Sequence, residues 1–392
     1  MPKICKCILI IFFTGFLFYP CVTLSQNVLG YMDVRGRYFV FKNGYPEQIE
    51  NLPILSYQNS NAGIAYVDNS SLLNFVNAES KVSLDIVVKA FYKNTDYYLN
   101  YGVGDMIGMY DGQKKWTLGN ISQYGYSVSD SIAAYHDING FYSVFWNGEE
   151  TLLSRLPIRF MATGKNMLAF VDNSNFIQLF YHNTLTQIDN TIPASLKLGG
   201  NIAAYIDSYR EFKIFYAGKV YDLFNISELI CRQGDNTTDI TNNYDTDLFC
   251  FGTIVHPRFD FLPLFIAGDD MVMYIDEMNY LQMFYKGEVF EASNAVPKHY
   301  DVVDNVAWFI DLNGFLNVFY DGEFYVVESY TPGNIMADRD IVCYTDLDNR
   351  LIAFYKGQRY EVSKDIIRSY DLNNHAIIYS IKENEYKYFS FD

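Results

Sequence analysis

Eight aspartates recur at a fixed spacing and are the side chains in this sequence most able to act as a set. Asp33, Asp68, Asp137, Asp172, Asp207, Asp276, Asp311 and Asp346 lie 35 residues apart in five of their seven intervals and 69 apart in the other two. Carboxylates beside turn carbonyls suit a hard cation such as calcium, or the lining of a polar channel. The structural alternative is an Asp that accepts hydrogen bonds from the backbone amides following it in a tight turn. One Asp in every copy, always followed by the same turn residues, favours this second role. The segment from Asp235 to Asp247 is acidic enough for incidental calcium. It lacks the alternating Asp spacing and central Gly of a dedicated calcium loop, so no cofactor is expected.

Other reactive groups are sparse. His136, His182, His256, His299 and His375 fall at unrelated positions of the repeat, without metal spacing or a Gly-x-Ser-x-Gly nucleophile nearby. A phosphate-cradling Gly loop is absent too. Carboxylate pairs for glycoside chemistry meet only in space, so the sequence leaves that chemistry open. Aromatics make up 18% of the chain, with 35 Tyr and 31 Phe. Most recur at fixed repeat positions and read as core. Those that break the pattern are the candidate ligand contacts: Trp116, Tyr124, Tyr126 and Trp308, joined by His256. Cys231 and Cys250 flank the polar stretch 233–247, where a disulfide would close a loop in an oxidising compartment. Cys343 stands mid-strand and reads as a buried free thiol.

The elements that carry these residues follow from the repeat. In the copy around Asp207, the segments 201–207, 212–216 and 219–223 read as three strands joined by two tight turns. An aromatic stands two residues before the Asp (Tyr66, Tyr135, Phe170, Tyr205, Tyr274, Phe309, Tyr344), flanked by apolar neighbours. Successive strand residues point to opposite faces, so this strand is apolar on both and needs a neighbour packed against each side. Stacked propeller blades supply that; a sandwich with one wet face does not. Three residues past the Asp come Gly36, Gly140 and Gly314 or Asn175, Asn279 and Asn349, which tolerate the left-handed backbone region. Eleven past it, Gly44, Gly148, Gly218, Gly287, Gly322 and Gly357 predict a two-residue primed turn. A fourth, shorter strand is expected in each connection, as at 194–198.

Each 69-residue interval hides one divergent copy. One is expected to regain the Phe-Tyr string at Phe91-Tyr92 and to end a further strand at Asp111. The other is expected between Gly234 and Gly268, with Phe249-Cys-Phe251 as its middle strand. About eleven units result, irregular near 76–131 and 228–268. The fold expected is therefore all-β: tandem ~35-residue antiparallel blades, closing as one large ring or as two smaller ones. This organisation resembles secreted β-propeller repeat proteins, in the broad neighbourhood of TolB-like and WD40-like propellers. The resemblance spans 27–392 and rests on repeat architecture. The WD40, kelch and sialidase Asp-box signatures are absent, so no family's site residues transfer.

Residues 1–25 read as a secretory signal peptide, and 26–392 as the propeller domain. Lys3 and Lys6 precede the apolar run Ile8–Phe18, and Thr23 and Ser25 place small residues before Gln26. The expected location is secreted, periplasmic or extracellular. A formal charge of −17 argues against nucleic acid as a partner, and no later apolar run predicts membrane insertion. The expected function is an exported, non-catalytic binding or scaffold propeller that recognises a protein or glycan through loops on one face. The alternative is a propeller enzyme acting on polysaccharide, with carboxylates at the central funnel.

Overall fold

The computed structural model describes residues 28–42, 44–60, 62–87, 90–93, 99–103, 106–110, 112–226, 253–254 and 262–391. Every regular element among them is a β-strand, and all strand pairs are antiparallel. Four consecutive strands form one radial sheet in chain order, inner strand first. The sheets define ten blades, at 29–50, 56–87, 90–120, 121–154, 160–189, 195–225, 265–293, 299–328, 333–366 and 369–390. Blades 3 and 4 share one long strand, Lys115–Val128, outer in the first and inner in the second, with a register break between Ile121 and Tyr126.

In eight of the ten blades the second strand ends at the repeat Asp, and its sequence explains its depth. Met167–Val171, Ile202–Ile206, Met271–Ile275, Val306–Ile310 and Ile341–Thr345 are buried at every position. Each such apolar side chain contributes about 1.5–3 kcal/mol relative to exposure. Packing is continuous between neighbours. Ile202, Phe212 and Met271 belong to one cluster across blades 6 and 7, and Trp308 and Val342 to another across blades 8 and 9.

The ring closes on itself. Leu29 and Phe41 of blade 1 share a cluster with Ala376 and Ile378 of blade 10. Asn384 Oδ1 accepts from Val34 N (2.9 Å), and Asn373 Nδ2 donates to Ser60 O (3.3 Å). The end blades are the exceptions to four strands, since three are described in each: Leu29–Met32, Tyr38–Lys42 and Tyr45–Glu50 in blade 1, and Ser369–Asn373, Ala376–Lys382 and Glu385–Ser390 in blade 10.

Two expectations need correction. The unit count is ten, and the blades of Asp207 and Asp276 are direct neighbours: Gly200 N donates to Gly268 O (3.3 Å) and Asn201 N to Asp269 O (2.7 Å). No blade stands between them, so 207 to 276 spans one step of the ring with an insertion. Phe249-Cys-Phe251, the middle strand expected there, lies outside the described residues. The hidden copy between Asp68 and Asp137 is real, but Phe91-Tyr92 belongs to its inner strand (Ala90–Lys93), not its third. Its third strand is Met106–Tyr110, which Asp111 follows.

Candidate functional site

A four-strand meander puts its turns at alternate ends, and this gives the ring two unlike faces. The hairpin face carries the turns between second and third strands and the connections from blade to blade. The axial-turn face carries the turns between first and second strands, close to the axis, and those between third and fourth strands further out.

On the hairpin face each turn is self-contained. Asp276 Oδ1 accepts from Met278 N and Tyr280 N, both at 2.9 Å, and its Oδ2 accepts from Gln282 Nε2 at 2.8 Å. Asp68, Asp172 and Asp346 repeat the two amide bonds. Asn279, at φ 64°, takes the left-handed position and donates its N–H to Asp276 O (3.0 Å). Against desolvation, the Arg37 guanidinium and the turn amides hold the Asp33 carboxyl below the usual Asp range, and the Phe141 amide, with Asn139, does the same for Asp137. The repeated Asp is thus a turn cap whose Oδ1 takes up the amides of its own turn. With the polar atoms turned inward, the tips expose apolar side chains: Ile138, Tyr209, Met278 and Leu347 are 67–74% exposed. Leu52, Leu55 and Leu156 of the connections are exposed beside them.

On the axial-turn face the turns are tied to one another. Ser131 N donates to Lys165 O (3.2 Å), Lys165 N to Gly199 O (3.1 Å), Asp269 N to Asp304 O (2.6 Å) and Asn305 N to Arg339 O (3.0 Å). Glycine permits the approach, since a Cβ on Gly199 would lie 1.5 Å from Gly268 O and one on Gly164 2.3 Å from Gly199 O. At the mouth of the axis the Lys165 ammonium stands among three carboxylates. Asp269 is 3.2 Å away, Asp304 3.3 Å and Asp130 3.7 Å. They line a cleft of about 190 Å3 with Gly164, Gly199, Gly200 and Gly268. Among the described residues no group of three His, Cys, Asp or Glu has the arrangement of a metal site. Deeper along the inner strands, burial raises the Asp301 carboxyl above the usual Asp range, against the bond from Val302 N (2.8 Å).

Between blades runs a third device. The outer strands of blades 1, 5 and 8 end in Glu50, Asp189 and Glu328, which accept from Tyr66 (2.8 Å), Tyr205 (3.1 Å) and Tyr344 (2.6 Å) of the next blade. Lys81, Lys213 and Arg359 balance the three carboxylates. Burial first, and then the carboxylate, push these three phenols far above the ordinary Tyr value.

Among the described residues the candidate ligand contacts are not brought together. Trp116 stacks edge-on against Phe145 (5.4 Å) between blades 3 and 4, with Lys114 Nζ 5.0 Å from its ring. Tyr124 and Tyr126 lie on the strand that those blades share, where Tyr126 pairs with Tyr135. Trp308 is 5% exposed in the core between blades 8 and 9, beside His299. His256, Cys231 and Cys250 lie outside the described residues. Cys343 is a buried free thiol, as its strand position predicts. Sequence reasoning passed over the axial cluster, although the signal was present. Asp130, Lys165 and Gly200 are spaced by 35, as are Asp269, Asp304 and Arg339, each seven residues before a repeat Asp.

The model of the 10-bladed beta propeller domain family matches residues 22–252 and 260–390. No curated protein matches the sequence. Similar solved structures are distant. Hsv2p of Kluyveromyces lactis is 12% identical over 86% of this chain and 96% of its own, with a TM-score of 0.28. BamB of Moraxella catarrhalis is 11% identical over 78% and 99%, with a TM-score of 0.30. Prp20p of Saccharomyces cerevisiae, whose structure was reported with its binding to Gsp1p and histones, is 8% identical over 59% and 71%, with a TM-score of 0.33.

Proposed function

The chain belongs to the 10-bladed β-propeller domain family, and from that premise we propose that it is an exported, non-catalytic scaffold holding a protein partner on its hairpin face. The observation that carries this reading is the set of apolar side chains exposed at the turn tips of blades 4, 6, 7 and 9, Ile138, Tyr209, Met278 and Leu347. Apolar side chains recurring along one face are the composition of a protein contact surface. The rigid frame beneath presents them without an ordering cost at binding. The signal-peptide pattern of the sequence at 1–25 supports export. Among the described residues no helix is long and apolar enough to cross a membrane.

The test is capture of partners by the purified chain, compared with a variant carrying Ile138→Asp, Met278→Asp and Leu347→Asp. Loss of the captured set in the variant, with the fold intact by circular dichroism, is the expected result. Equal capture by both, or binding on a glycan array in its place, would sink the reading. N-terminal sequencing of exported protein should begin at Gln26.

One observation favours the enzyme alternative: Asp130, Asp269 and Asp304 do converge at the axis. Against it stands Lys165, whose ammonium occupies the space that a glycosidic oxygen would need. Polysaccharide cleavage that is lost in Asp304→Asn would favour the alternative.

A further inference from the structure

The chain has a formal charge of −17, yet one sector of the hairpin face carries guanidinium groups left over from its ion pairs. The sector lies over the closing seam, at the turn tips of blades 9, 10 and 1 and the connections beside them. Its pieces touch. Ile367 N donates to Asn349 O (2.9 Å) at the tip of blade 9, and Asn384 at the tip of blade 10 accepts from Val34 N. The tip of blade 1 lies against the next connection, since a Cβ on Gly36 would stand 2.8 Å from Pro53 Cγ. Leu347, Ile366, Val34, Leu52 and Leu55 are 56–74% exposed across it.

Most carboxylates of the sector already have a cation. Arg37 holds Asp33 (2.6 Å), Arg350 holds Asp348 (3.0 Å), Lys387 holds Asp365 (3.0 Å) and Lys382 holds Glu385 (3.6 Å). Glu383 is exposed without a described cation. Arg35 and Arg368 are exposed too, and neither is paired with a carboxylate among the described residues. A guanidinium fork matches a carboxylate with two parallel bonds. Arginine beside exposed apolar side chains is the make-up of a protein contact surface.

The described ends of this chain lie elsewhere. Leu29–Met32 runs from the axial-turn face toward its tip, so Val28 stands at that other face. Phe391 stands there as well, donating its N–H to His375 O (2.8 Å) in the axial turn of blade 10. Ile226, the last described residue before the long insertion, donates to Arg210 O (2.8 Å) at blade 6, across the ten-blade ring from blade 1. Charge also separates the outside partners. A continuous anionic membrane surface is repelled by the whole net charge, whereas a short segment with few carboxylates meets the two arginines at contact range.

We propose that this sector holds a segment of another protein in which two carboxylates stand among apolar side chains, one for Arg35 and one for Arg368. The inference rests on the reading of the hairpin face as a protein contact surface and names the chemistry of what binds there.

The probe is a library of random dodecapeptides displayed on phage and selected on the full chain, with the enriched peptides then titrated by fluorescence anisotropy. They should carry Asp or Glu at two positions among apolar residues. They should bind about tenfold more weakly to the Arg35→Gln, Arg368→Gln variant, which should melt as the parent does. A second variant, Val34→Asp with Leu52→Asp and Leu347→Asp, separates the two readings. Peptides that lose binding to it but lack carboxylates, or that ignore the arginine changes, overturn this inference alone. No enriched peptide, or peptides indifferent to both variants, would sink the hairpin-face reading with it. Three further results would overturn the proposal: arginine-dependent binding of phosphatidylglycerol vesicles, self-association that the arginine variant dissolves, or selection that succeeds only after residues 228–252 are deleted. They would mean that a membrane, a second copy or this chain itself fills the sector.

Discussion

The two faces of the ring solve the problem of a turn in opposite ways. On the hairpin face each Asp satisfies the amides of its own turn, so every copy is complete in itself. On the axial-turn face the turns satisfy each other, blade to blade, and five carbonyl-to-amide steps link Ser131 to Arg339. Self-contained turns leave their tips free to vary, and there the exposed apolar side chains stand. Interlocked turns limit side-chain size where backbones approach, and there Gly164, Gly199 and Gly268 stand. A repeat protein thus separates the face that holds the ring from the face that can be altered at little cost in stability.

The largest effect tests the interlocked face. Gly199→Val places branched carbon where Gly268 O already lies, and a loss of about 4 kcal/mol or more is expected. Chemical denaturation would measure it, and a loss below 1 kcal/mol would refute the close-packed account. Lys165→Met comes next. It strands three partly buried carboxylates, at 7–16% side-chain exposure, and should cost about 2–3 kcal/mol, less in high salt. Hydrogen exchange should quicken at 129–131, 199–201 and 268–270 while the Asp turns keep their protection.

Asp276→Ala should cost about 1 kcal/mol, with faster exchange confined to the amides of Met278 and Tyr280. Spread of the effect to blades 6 and 8 would break the contrast between the faces. Smallest is a pH effect at His136, whose imidazole burial holds below the ordinary His range. The unfolded chain then takes up the proton more readily. Stability should therefore decline as pH falls from about 6.5 toward the lower folded value, and be constant above that window. His136→Gln should flatten this slope in pH-dependent melting.

Much of the fold was legible because the repeat is local. Strand, left-handed Gly or Asn and primed turn all fall within one 35-residue window, and Asn147, Ala217, Lys286 and Lys356, each followed by a positive-φ Gly, confirm the turn type. The count was not legible across 207–276, because an insertion as long as a repeat has the length of a blade without its place in the ring. The axial site was hidden for another reason. Its members are periodic in position but not in type, so Asp, Lys and Gly at one repeat position look like drift until the turns are seen to converge. Trp308, by contrast, stood out by rarity alone and proved to be core.

The seam between blades 1 and 10 has a kinetic consequence. Nearly every other contact joins residues within two neighbouring units, while Val34 with Asn384 and Asn373 with Ser60 span more than 300 residues. Contacts that distant carry the largest chain-entropy cost and form last. Folding should run as fast local blade formation followed by one slow zipping of the first blade onto the last. Unfolding should begin where that zipper ends, as an arc that opens before any blade is lost.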